Sequence, residues 1–537
     1  MSNILFLNRK WEMTASRFIL IFSAFNTFLF NTAVFNYLNS NLDLLSVSGI
    51  SIAISITSLI YILNVTILSL LVLITPHLSK IFLIVTALIN GAAIYYINTF
   101  QVVLDLTMIG NIFNTRASEA IELLVSGTLY AYILMFGIIP GFIVFRTRIV
   151  QLSRFRVSIN LVIVLVLGIV LILVNASGWL WISKHRNMVR GKILPWAYVI
   201  NTTRYTAEKL KGKSQPILLP DGVFSDTTKT VVVLVIGESA RAGNFSLYGY
   251  EKDTNPYMAS AGVLAFNKTN SCATYTTASV ACILSHEKGN DQYENLPSYL
   301  TRIGADVIWR TNNWGEADIN VAEYKKESEL VGDCTPGTCD LDENMLIGLQ
   351  QRIESSNKKK ILVVLHTKGS HGPSYYSRYS PDMEKFTPVC RNEEVSKCTY
   401  DELINAYDNS IVYTDYLLHK TITMLKGMSS TPSMMVYISD HGESLGEDGM
   451  YLHGIPYTFA PDYQKDVPFI IWRSNALIAH QGIENQNINQ SGAFSQANIF
   501  HTIMGAFGVK TEIYDVSLDV IHHNQKPLEM VIQAAGE

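Results

Sequence analysis

Five long, uncharged apolar stretches in the first third of the chain constrain its fold more than any other feature. Each one approaches or exceeds the roughly 20 residues that a helix needs to cross a bilayer. They cover residues 18–38, 51–74, 81–98, 124–145 and 159–182. A cleaved signal peptide is the alternative for the first stretch, but that stretch is long, lacks a clear small-residue cleavage site and precedes four similar ones. We therefore predict an α-helical transmembrane domain with five spans over residues 1–182.

The cations beside these stretches predict the orientation of the chain. Arg9, Lys10 and Arg17 precede the first stretch, and Lys80 lies between the second and the third. Four arginines separate the fourth stretch from the fifth: Arg146, Arg148, Arg154 and Arg156. Because cytoplasmic loops carry an excess of Lys and Arg, we expect the N-terminus in the cytoplasm. An odd number of spans then places the chain after Ile182 on the outer side.

The cysteines support this orientation independently. All six follow the last span and form three close pairs, Cys272–Cys282, Cys334–Cys339 and Cys390–Cys398. The spacing predicts three short-loop disulfides, which persist in an oxidising compartment such as the periplasm. The alternative, a cysteine-rich metal site, lacks C-x-x-C spacing.

Two segments outside the spans are expected at the membrane surface. The loop 99–123 is long enough for a short helix with Asn111, Thr115 and Glu119 spaced four apart on one face, although a merely solvated face has the same spacing. The segment 183–228 mixes lysines and arginines with aromatic residues. Since both residue types favour the headgroup zone, we interpret it as an interfacial linker.

The remainder, residues 229–537, has the pattern of an α/β domain. Four apolar runs typical of buried strands cover residues 230–237, 361–365, 434–438 and 467–472. Segments with helical patterning, such as 401–426, separate them. Strands that alternate with helices predict an α/β/α sandwich around a largely parallel sheet, with the ligand site at the carboxyl ends of the strands.

Three of these strand ends carry potential metal ligands. Glu238 follows the first run directly, His371 lies in the loop after the second, and Asp440 and His441 follow the third. Carboxylates and imidazole suit a catalytic zinc that keeps a position open for a reacting group. Taken singly, each residue is more often a structural hydrogen-bonding group, so the prediction rests on their shared position at strand ends.

The segment between Cys272 and Cys282 is rich in hydroxyl groups and is the candidate source of a nucleophile. A hydroxyl placed on zinc at a helix N-terminus has a lowered pKa and becomes an alkoxide that can attack phosphorus. A threonine-rich capping turn is the alternative. The residues alone leave four candidates open: Thr274, Thr276, Thr277 and Ser279.

Two histidines, His371 and His453, lie in glycine-flanked turns that allow close approach to a substrate. Either could bind phosphate or a second zinc, or donate a proton to a leaving group. An ordinary surface histidine is the alternative for each.

Six motifs in order resemble the lipid A phosphoethanolamine transferase family, which includes the mobile colistin-resistance enzymes. They are Gly237-Glu-Ser-Ala-Arg241, Tyr248-Gly-Tyr250, Cys272-x-Thr-x-Thr276, Gly369-Ser-His-Gly-Pro373, Ser439-Asp-His-Gly-Glu443 and Leu452-His-Gly454. The resemblance covers nearly the whole chain. It implies the fold of the alkaline phosphatase and sulfatase superfamily and a location in the bacterial inner membrane.

The resemblance also implies roles for the candidate residues. It aligns the nucleophile with Thr276 and implies one tightly bound zinc, held by the nucleophile and by Glu238, Asp440 and His441. His371 and His453 become substrate-side residues, with a second zinc near them as an open alternative. The loop residues Asn111, Thr115 and Glu119 match a family segment implicated in binding the phospholipid donor.

The implied reaction has two steps and two lipid partners. Thr276 attacks the phosphorus of phosphatidylethanolamine, diacylglycerol leaves, and a phosphate of lipid A then displaces phosphoethanolamine from the threonine. The added ammonium groups imply resistance to polymyxin and other cationic peptides. We expect a membrane-bound monomer, and the net charge of −4 provides no basic footprint for nucleic acid.

The chain departs from the family at one position, and three rival functions are the alternatives: a phosphoglycerol transferase, a sulfatase or simple phosphatase, and a membrane receptor or structural protein. Family members commonly carry a lysine a few residues after an Asn-Asn pair, whereas none follows Asn312 and Asn313 closely; Arg310, Lys325 and Lys326 are candidate substitutes. A phosphoglycerol transferase shares the spans, nucleophile and fold, but the paired cysteines weigh against it. A membrane receptor with an inactive hydrolase-like domain would bind no zinc.

Overall fold

The computed structural model describes residues 11–115, 117–174, 178–211, 215–287, 292–316, 319–330 and 339–522. The chain divides into two compact units, residues 1–212 and residues 213–537. The separate linker over residues 183–228 stays a prediction.

The first unit is helical. Its α-helices are α1 (Ala15–Phe30), α2 (Thr32–Asn41), α3 (Val47–Ile74), α4 (Pro76–Phe100), α5 (Leu106–Asn114), α6 (Ala117–Leu124), α7 (Gly127–Tyr132), α8 (Ile139–Arg146), α9 (Arg154–Val174), α10 (Trp179–Arg190) and α11 (Trp196–Leu210). A π-helical turn, Ile133–Ile138, joins α7 to α8, and two short strands, β1 (Trp11–Thr14) and β2 (Thr147–Gln151), pair in parallel.

Within the described residues, four helices are long and apolar enough to cross a membrane, and a bent pair makes five if it counts as one span. The bent pair is α1 and α2, which meet at 57°. The bend lies at Asn31, whose side chain accepts a hydrogen bond from Leu194 N at 2.9 Å and donates one to Leu194 O at 3.2 Å. These bonds hold Asn31 at the junction and end the first helix there.

The last span is shorter than the sequence predicted. It ends at Val174, and the final residues of the predicted stretch belong to α10, a separate helix that also carries Lys184, Arg186 and Arg190. Because cations prefer the headgroup zone, a helix of this composition suits the membrane surface better than the bilayer core.

The single helix predicted for the loop 99–123 is wrong. The helix α5 ends at Asn114, and Thr115 is its C-cap with an extended backbone (ψ 133°), so Asn111 and Glu119 lie on different helices. The Thr115 hydroxyl donates to the Asn111 carbonyl at 2.7 Å, which closes the last turn. The side chain of Glu119 lies outside the described residues.

The second unit contains α-helices α12 (Pro256–Ala261), α13 (Thr276–Ile283), α14 (Leu296–Arg302), α15 (Leu349–Glu354), α16 (Tyr400–Gly427), α17 (Asn475–Gln481) and α18 (Asn498–Phe507). Its longer strands are β4 (Thr230–Gly237), β7 (Asp306–Thr311), β8 (Glu323–Lys326), β9 (Lys360–His366), β10 (Ser433–Ser439) and β13 (Phe469–Arg473). Its short strands are β3 (Val223–Phe224), β5 (Leu264–Phe266), β6 (Thr269–Asn270), β11 (Ser444–Leu445), β12 (Tyr451–Leu452), β14 (Phe494–Ser495) and β15 (Val509–Lys510).

Seven of these strands form one mixed sheet in the order β5-β13-β10-β4-β9-β7-β8. The five strands from β10 to β8 are parallel, whereas β13 is antiparallel to both of its neighbours. Every residue of β4 is buried, as expected for a central strand covered on both faces. One face shares a core with α13, α14 and α18, and α16 also packs on the sheet. The predicted α/β/α sandwich and its four strands are confirmed.

Candidate active site

The parallel register brings the predicted strand-end residues to one edge of the sheet. Gly237 pairs with Ser439, so the next residues, Glu238 and Asp440, leave the sheet side by side. On the other side of β4, Ile236 pairs with His366, the last residue of β9. Residues that follow these three strands therefore meet at the same place.

Four predicted zinc ligands form a buried cluster at this edge. The Thr276 hydroxyl oxygen lies 3.1 Å from Glu238 Oε2 and 3.5 Å from His441 Nε2. The same His441 nitrogen lies 3.3 Å from Glu238 Oε1 and 3.2 Å from Asp440 Oδ2. All four residues are buried. The cluster thus presents two carboxylates, one imidazole and one hydroxyl to a common point.

The atoms of this cluster fit a cation. His441 Nδ1 lies 2.9 Å from the Gly442 carbonyl oxygen, so in the neutral ring this nitrogen carries the proton and the Nε2 lone pair faces the carboxylates. Asp440 Oδ2 is buried and has no hydrogen-bond partner among the described residues. A lone pair and an unpartnered carboxylate oxygen 3.2 Å apart repel each other unless a positive charge lies between them. Carboxylate, imidazole and hydroxyl ligands together suit zinc.

The pKa values of His441 and Asp440 also indicate that the cluster needs positive charge. Burial opposes protonation of His441, but Asp440 and Glu238 raise its pKa to about 10. Burial and the neighbouring Glu238 charge raise the pKa of the Asp440 carboxyl well above its usual range. In the absence of a metal, the cluster therefore holds protons where a cation would otherwise neutralise it.

Among the four hydroxyl candidates, Thr276 contacts the cluster. Thr274 donates instead to the Ile455 carbonyl at 2.6 Å, and Ser279 donates to the Ala273 carbonyl at 3.2 Å. Both of these hydroxyls therefore donate to backbone carbonyl groups and do not contact the cluster. The structure thus distinguishes Thr276 from Thr274 and Ser279, a choice that the sequence had left open.

Thr276 is also the first residue of α13, an eight-residue helix whose N-cap is Tyr275. The positive end of the helix dipole therefore adjoins its hydroxyl and favours negative charge there. The neighbouring Thr277 packs near Gly315: a Cβ atom at Gly315 would lie 3.1 Å from the Thr277 methyl carbon. These contacts place the hydroxyl-bearing turn between the sheet edge and the loop after β7.

Two of the three predicted disulfides are confirmed, Cys272–Cys282 and Cys390–Cys398. The first bond joins the ends of the segment that contains Thr276 and so restricts the position of the nucleophile. Cys339 is also disulfide-bonded. Its predicted partner, Cys334, lies outside the described residues.

The two predicted substrate-side histidines lie together beside the cluster. The ring centroids of His371 and His453 are 5.6 Å apart, and those of His441 and His453 are 4.1 Å apart. Glu238, His441 and His453 each offer a ligand atom, and these three atoms lie within 4.8 Å of one another. His453 therefore lies close to the candidate zinc ligands as well as to His371.

Glu443 orients His453. Its Oε2 atom lies 3.2 Å from His453 Nδ1, so one hydrogen bond joins the carboxyl group to the ring. Burial and the nearby charge of His441 lower the pKa of His453 to about 3, whereas burial raises the pKa of Glu443 to about 8. The imidazole is therefore neutral at pH 7.

Asn313 and Gln496 complete the site, and sequence reasoning had assigned neither a role. The Asn313 amide donates to Glu238 Oε2 and to the Thr367 carbonyl, both at 2.8 Å. The Gln496 amide donates to the Asp440 carbonyl at 2.5 Å. Asn313 follows strand β7, so the strand-end argument could have found it, whereas no local pattern marks Gln496.

Two candidate substitutes for the missing lysine, Arg310 and Lys325, contact other groups of the protein. The Arg310 guanidinium donates to the Met345 carbonyl at 2.8 Å and the Ile347 carbonyl at 2.6 Å. Lys325 Nζ lies 3.9 Å from Glu323 Oε1. Arg310 is therefore a structural residue of the sheet edge.

The remaining predicted site residues belong to the first unit. Asn111 and Thr115 are partly buried on the C-terminal turn of α5. Their role in donor binding, and that of Glu119, stays a prediction.

Comparisons with known proteins agree across both units. The family described as sulfatase matches residues 230–509, and the family described as phosphoethanolamine transferase EptA/EptB matches residues 60–210. Phosphoethanolamine transferase EptA of Helicobacter pylori is 38% identical over 84% of this chain and 87% of its own length. Phosphatidylethanolamine transferase Mcr-1 of Escherichia coli is 32% identical over 74% of this chain and 78% of its own.

A solved structure extends the similarity to the whole fold. The integral membrane lipooligosaccharide phosphoethanolamine transferase A of Neisseria meningitidis superposes with a TM-score of 0.86 at 25% identity. The match covers 95% of this chain and 99% of that one.

Proposed function

Since this chain belongs to the phosphoethanolamine transferase family, we propose that it transfers phosphoethanolamine from phosphatidylethanolamine to a phosphate of lipid A through a covalent intermediate on Thr276. The observation that carries the proposal is the contact of the Thr276 hydroxyl with Glu238 Oε2, at 3.1 Å, in a buried cluster at a helix N-terminus. A hydroxyl in this position can lose its proton to the cluster and act as a nucleophile.

In the first step, Thr276 Oγ1 attacks the phosphorus of the donor, and its proton passes to the carboxylate side of the cluster. The bond between phosphorus and the diacylglycerol oxygen breaks, and that oxygen leaves with the electron pair. We assign the proton that this oxygen takes up to His371, whose ring lies 5.6 Å from that of His453, because the pKa of His453 is lowered to about 3 and its ring is neutral at pH 7. Diacylglycerol then departs as a neutral alcohol.

In the second step, a phosphate oxygen of lipid A attacks the phosphorus of the threonine ester. The bond between phosphorus and Thr276 Oγ1 breaks, and the threonine regains a proton. His453, which is neutral at pH 7 and is hydrogen-bonded to Glu443 through Nδ1, contacts the incoming phosphate in this proposal. The N-terminus of α13 stabilises the negative charge that develops on the threonine oxygen in both steps.

Glu238, Asp440, His441 and Thr276 are the residues that would hold a zinc ion. When bound, zinc would supply Lewis-acid stabilisation of phosphoryl charge and lower the pKa of the hydroxyl. The support is the unpartnered Asp440 Oδ2 atom and the His441 lone pair that faces it. Because His453 lies close to Glu238 and His441, the proposal includes a second zinc near His371 and His453 as an alternative.

The first unit supports the cellular location that we propose for the reaction. The four or five candidate spans and the cation distribution support a multi-pass protein of the bacterial inner membrane, with a cytoplasmic N-terminus and a periplasmic catalytic domain. The proposal also states that the protein is a monomer and that Asn111, Thr115 and Glu119 bind the phospholipid donor. It further includes resistance to colistin and other cationic peptides. Resistance follows because the product carries added ammonium groups at the outer surface.

Intact-mass spectrometry tests the proposal most directly. The purified full-length chain is incubated with zinc and phosphatidylethanolamine, and the modified peptide is located by fragmentation. We expect a phosphoethanolamine adduct on Thr276, none in Thr276→Ala, and zinc retained in that variant. An adduct on another hydroxyl would refute the choice of nucleophile.

Donors with other headgroups separate the proposal from its nearest rival. We expect diacylglycerol release from phosphatidylethanolamine and little from phosphatidylglycerol. The reverse preference would identify a phosphoglycerol transferase, because the two reactions share the fold and the threonine but differ in the group transferred.

A further inference from the structure

Ser239, the residue after Glu238, has an unusual backbone conformation. Its φ angle is +56°, in the left-handed region that residues other than glycine rarely occupy. Such a conformation is strained and persists only where surrounding contacts hold it. Ser239 is completely buried, so protein groups supply those contacts.

Two of these contacts reach the carboxylates of the metal cluster. The Ser239 backbone N–H donates to Asp440 Oδ1 at 3.0 Å, and the Ser239 hydroxyl donates to Glu238 Oε1 at 2.8 Å. In this way one residue touches both carboxylates. A change in the Ser239 backbone would therefore alter the distance between the two carboxylates.

The third contact comes from the long helix α16. The Tyr407 hydroxyl donates to the Ser239 carbonyl at 2.7 Å and accepts from the Arg241 backbone N–H at 2.9 Å. These bonds connect both ends of the turn that follows Glu238. Without that hydroxyl, a buried carbonyl and a buried N–H would each lose the partner that holds the turn.

Tyr407 is held rigidly. It is completely buried, and its ring meets the Tyr375 ring edge to face at 5.4 Å. The next residue, Asp408, accepts a hydrogen bond from the Asn244 amide at 2.6 Å, which fixes the same loop a second time. A capping box of Thr399 and Glu402 begins the helix. The position of the Tyr407 hydroxyl is therefore fixed by its surroundings.

We infer that Ser239 and Tyr407 are positioning residues that set the spacing of Glu238 and Asp440 for zinc, with Tyr407 holding Ser239 in its left-handed conformation. Neither residue contacts the phosphoryl group in this account. The inference rests on the zinc site of the proposed function. Because partners of this kind typically change metal affinity by about 10- to 100-fold, we expect losses of that size when either hydroxyl is removed.

The test compares Tyr407→Phe and Ser239→Ala with Tyr437→Phe in the full-length chain. Tyr437 is the matched control, because its hydroxyl is buried nearby and has no hydrogen-bond partner among the described residues. Zinc affinity is measured by competition with a chelator, and the metal geometry by the absorption spectrum of the cobalt-substituted protein. Thermal midpoints of the metal-free variants report on folding separately.

We expect Tyr407→Phe and Ser239→Ala to weaken zinc binding by about 10- to 100-fold, to alter the cobalt spectrum and to lower kcat more than KM. Tyr437→Phe should match the unmodified chain. Unchanged zinc affinity in both variants would overturn the inference, even if their metal-free midpoints fell. If the unmodified chain itself failed to bind zinc, the metal site of the proposed function would be refuted, and this inference with it.

Discussion

Gln496 connects the segment that contains Thr276 to the end of strand β10, and its replacement by glutamate gives a sharp test of the site. Its side chain is completely buried. The amide nitrogen donates to the Ser439 carbonyl at 2.9 Å and the Asp440 carbonyl at 2.5 Å, and the amide oxygen accepts from Cys272 N–H at 2.8 Å. The Gln496→Glu variant keeps the shape of the side chain but replaces the donor by an oxygen that faces two carbonyl oxygens.

The expected loss of stability follows from these contacts. Two hydrogen bonds of about 1 kcal/mol each are lost, and two buried carbonyl groups lose a partner at about 1–2 kcal/mol each. The sum is roughly 4–6 kcal/mol. At about 2 °C per kcal/mol for a large domain, the midpoint of the second unit should fall by roughly 8–12 °C. We also expect at least a tenfold loss of transfer activity, because the backbone of Asp440 moves.

The effect should depend on pH. Burial raises the pKa of the introduced carboxyl above its unfolded value of about 4.3, so the folded state binds the proton more tightly. This additional loss of folding stability is absent at a pH below the pKa of the carboxyl in the unfolded chain. It grows as the pH rises toward the pKa of the carboxyl in the folded chain. The difference in midpoint between the variant and the unmodified chain should therefore be larger at pH 8 than at pH 5.

Thermal unfolding at both pH values, with zinc present, measures this prediction, and Gln481→Glu is its control. The Gln481 amide oxygen accepts from the Arg473 guanidinium at 2.8 Å, so the same substitution there replaces a neutral acceptor by a carboxylate beside a cation. We expect that control to be neutral or slightly stabilising. A Gln496→Glu midpoint within 2 °C of the unmodified chain, at either pH, would refute the reasoning.

The remaining predictions concern both units. Asn64→Ala should lower the midpoint of the first unit in a thermal unfolding scan, because Asn64 is buried and makes three side-chain hydrogen bonds across helices, each worth about 0.6–2 kcal/mol. Removal of metal by EDTA should lower the midpoint of the second unit at pH 7, and added zinc should restore it, since Glu238 and Asp440 would otherwise be buried together without a cation. Replacement of Cys272 and Cys282 by serine should destabilise the second unit by about 3 kcal/mol in a denaturant titration and reduce adduct formation, whereas equal activity would contradict the role given to this bond.

The sequence predicted the sheet and the position of the site because both depend on local patterns. A continuous β-branched run can be buried on both faces only as a central strand, and β4 is such a strand. The parallel arrangement then places Glu238 beside Asp440 at the carboxyl edge. The same reasoning applied to β7 would have found Asn313, which is the second residue after that strand.

Long-range contacts account for most of what the sequence could not predict. The bend between α1 and α2 depends on hydrogen bonds from Asn31 to the backbone of Leu194, a residue 163 positions away. The choice of Thr276 over Thr274 depends on which hydroxyl finds a carbonyl acceptor, here Ile455 for Thr274. Neither contact leaves a periodic or spacing signal in the chain.

The loop after β7 carries no lysine between Asn313 and Glu316. Gly315 has φ +98°, and a Cβ atom at this position would lie 3.4 Å from the Thr276 methyl carbon, so the loop passes closely over the nucleophile without a side chain. The next residue, Glu316, is held by the Tyr324 hydroxyl and lies 3.4 Å from His366 Nδ1. Burial works against ionisation of Glu316, but His366 lowers its pKa to about 2. Glu316 therefore adds negative charge beside His366 at the end of β9, and in the proposed reaction the phosphoryl charge would be met by the N-terminus of α13, the histidines and a bound cation.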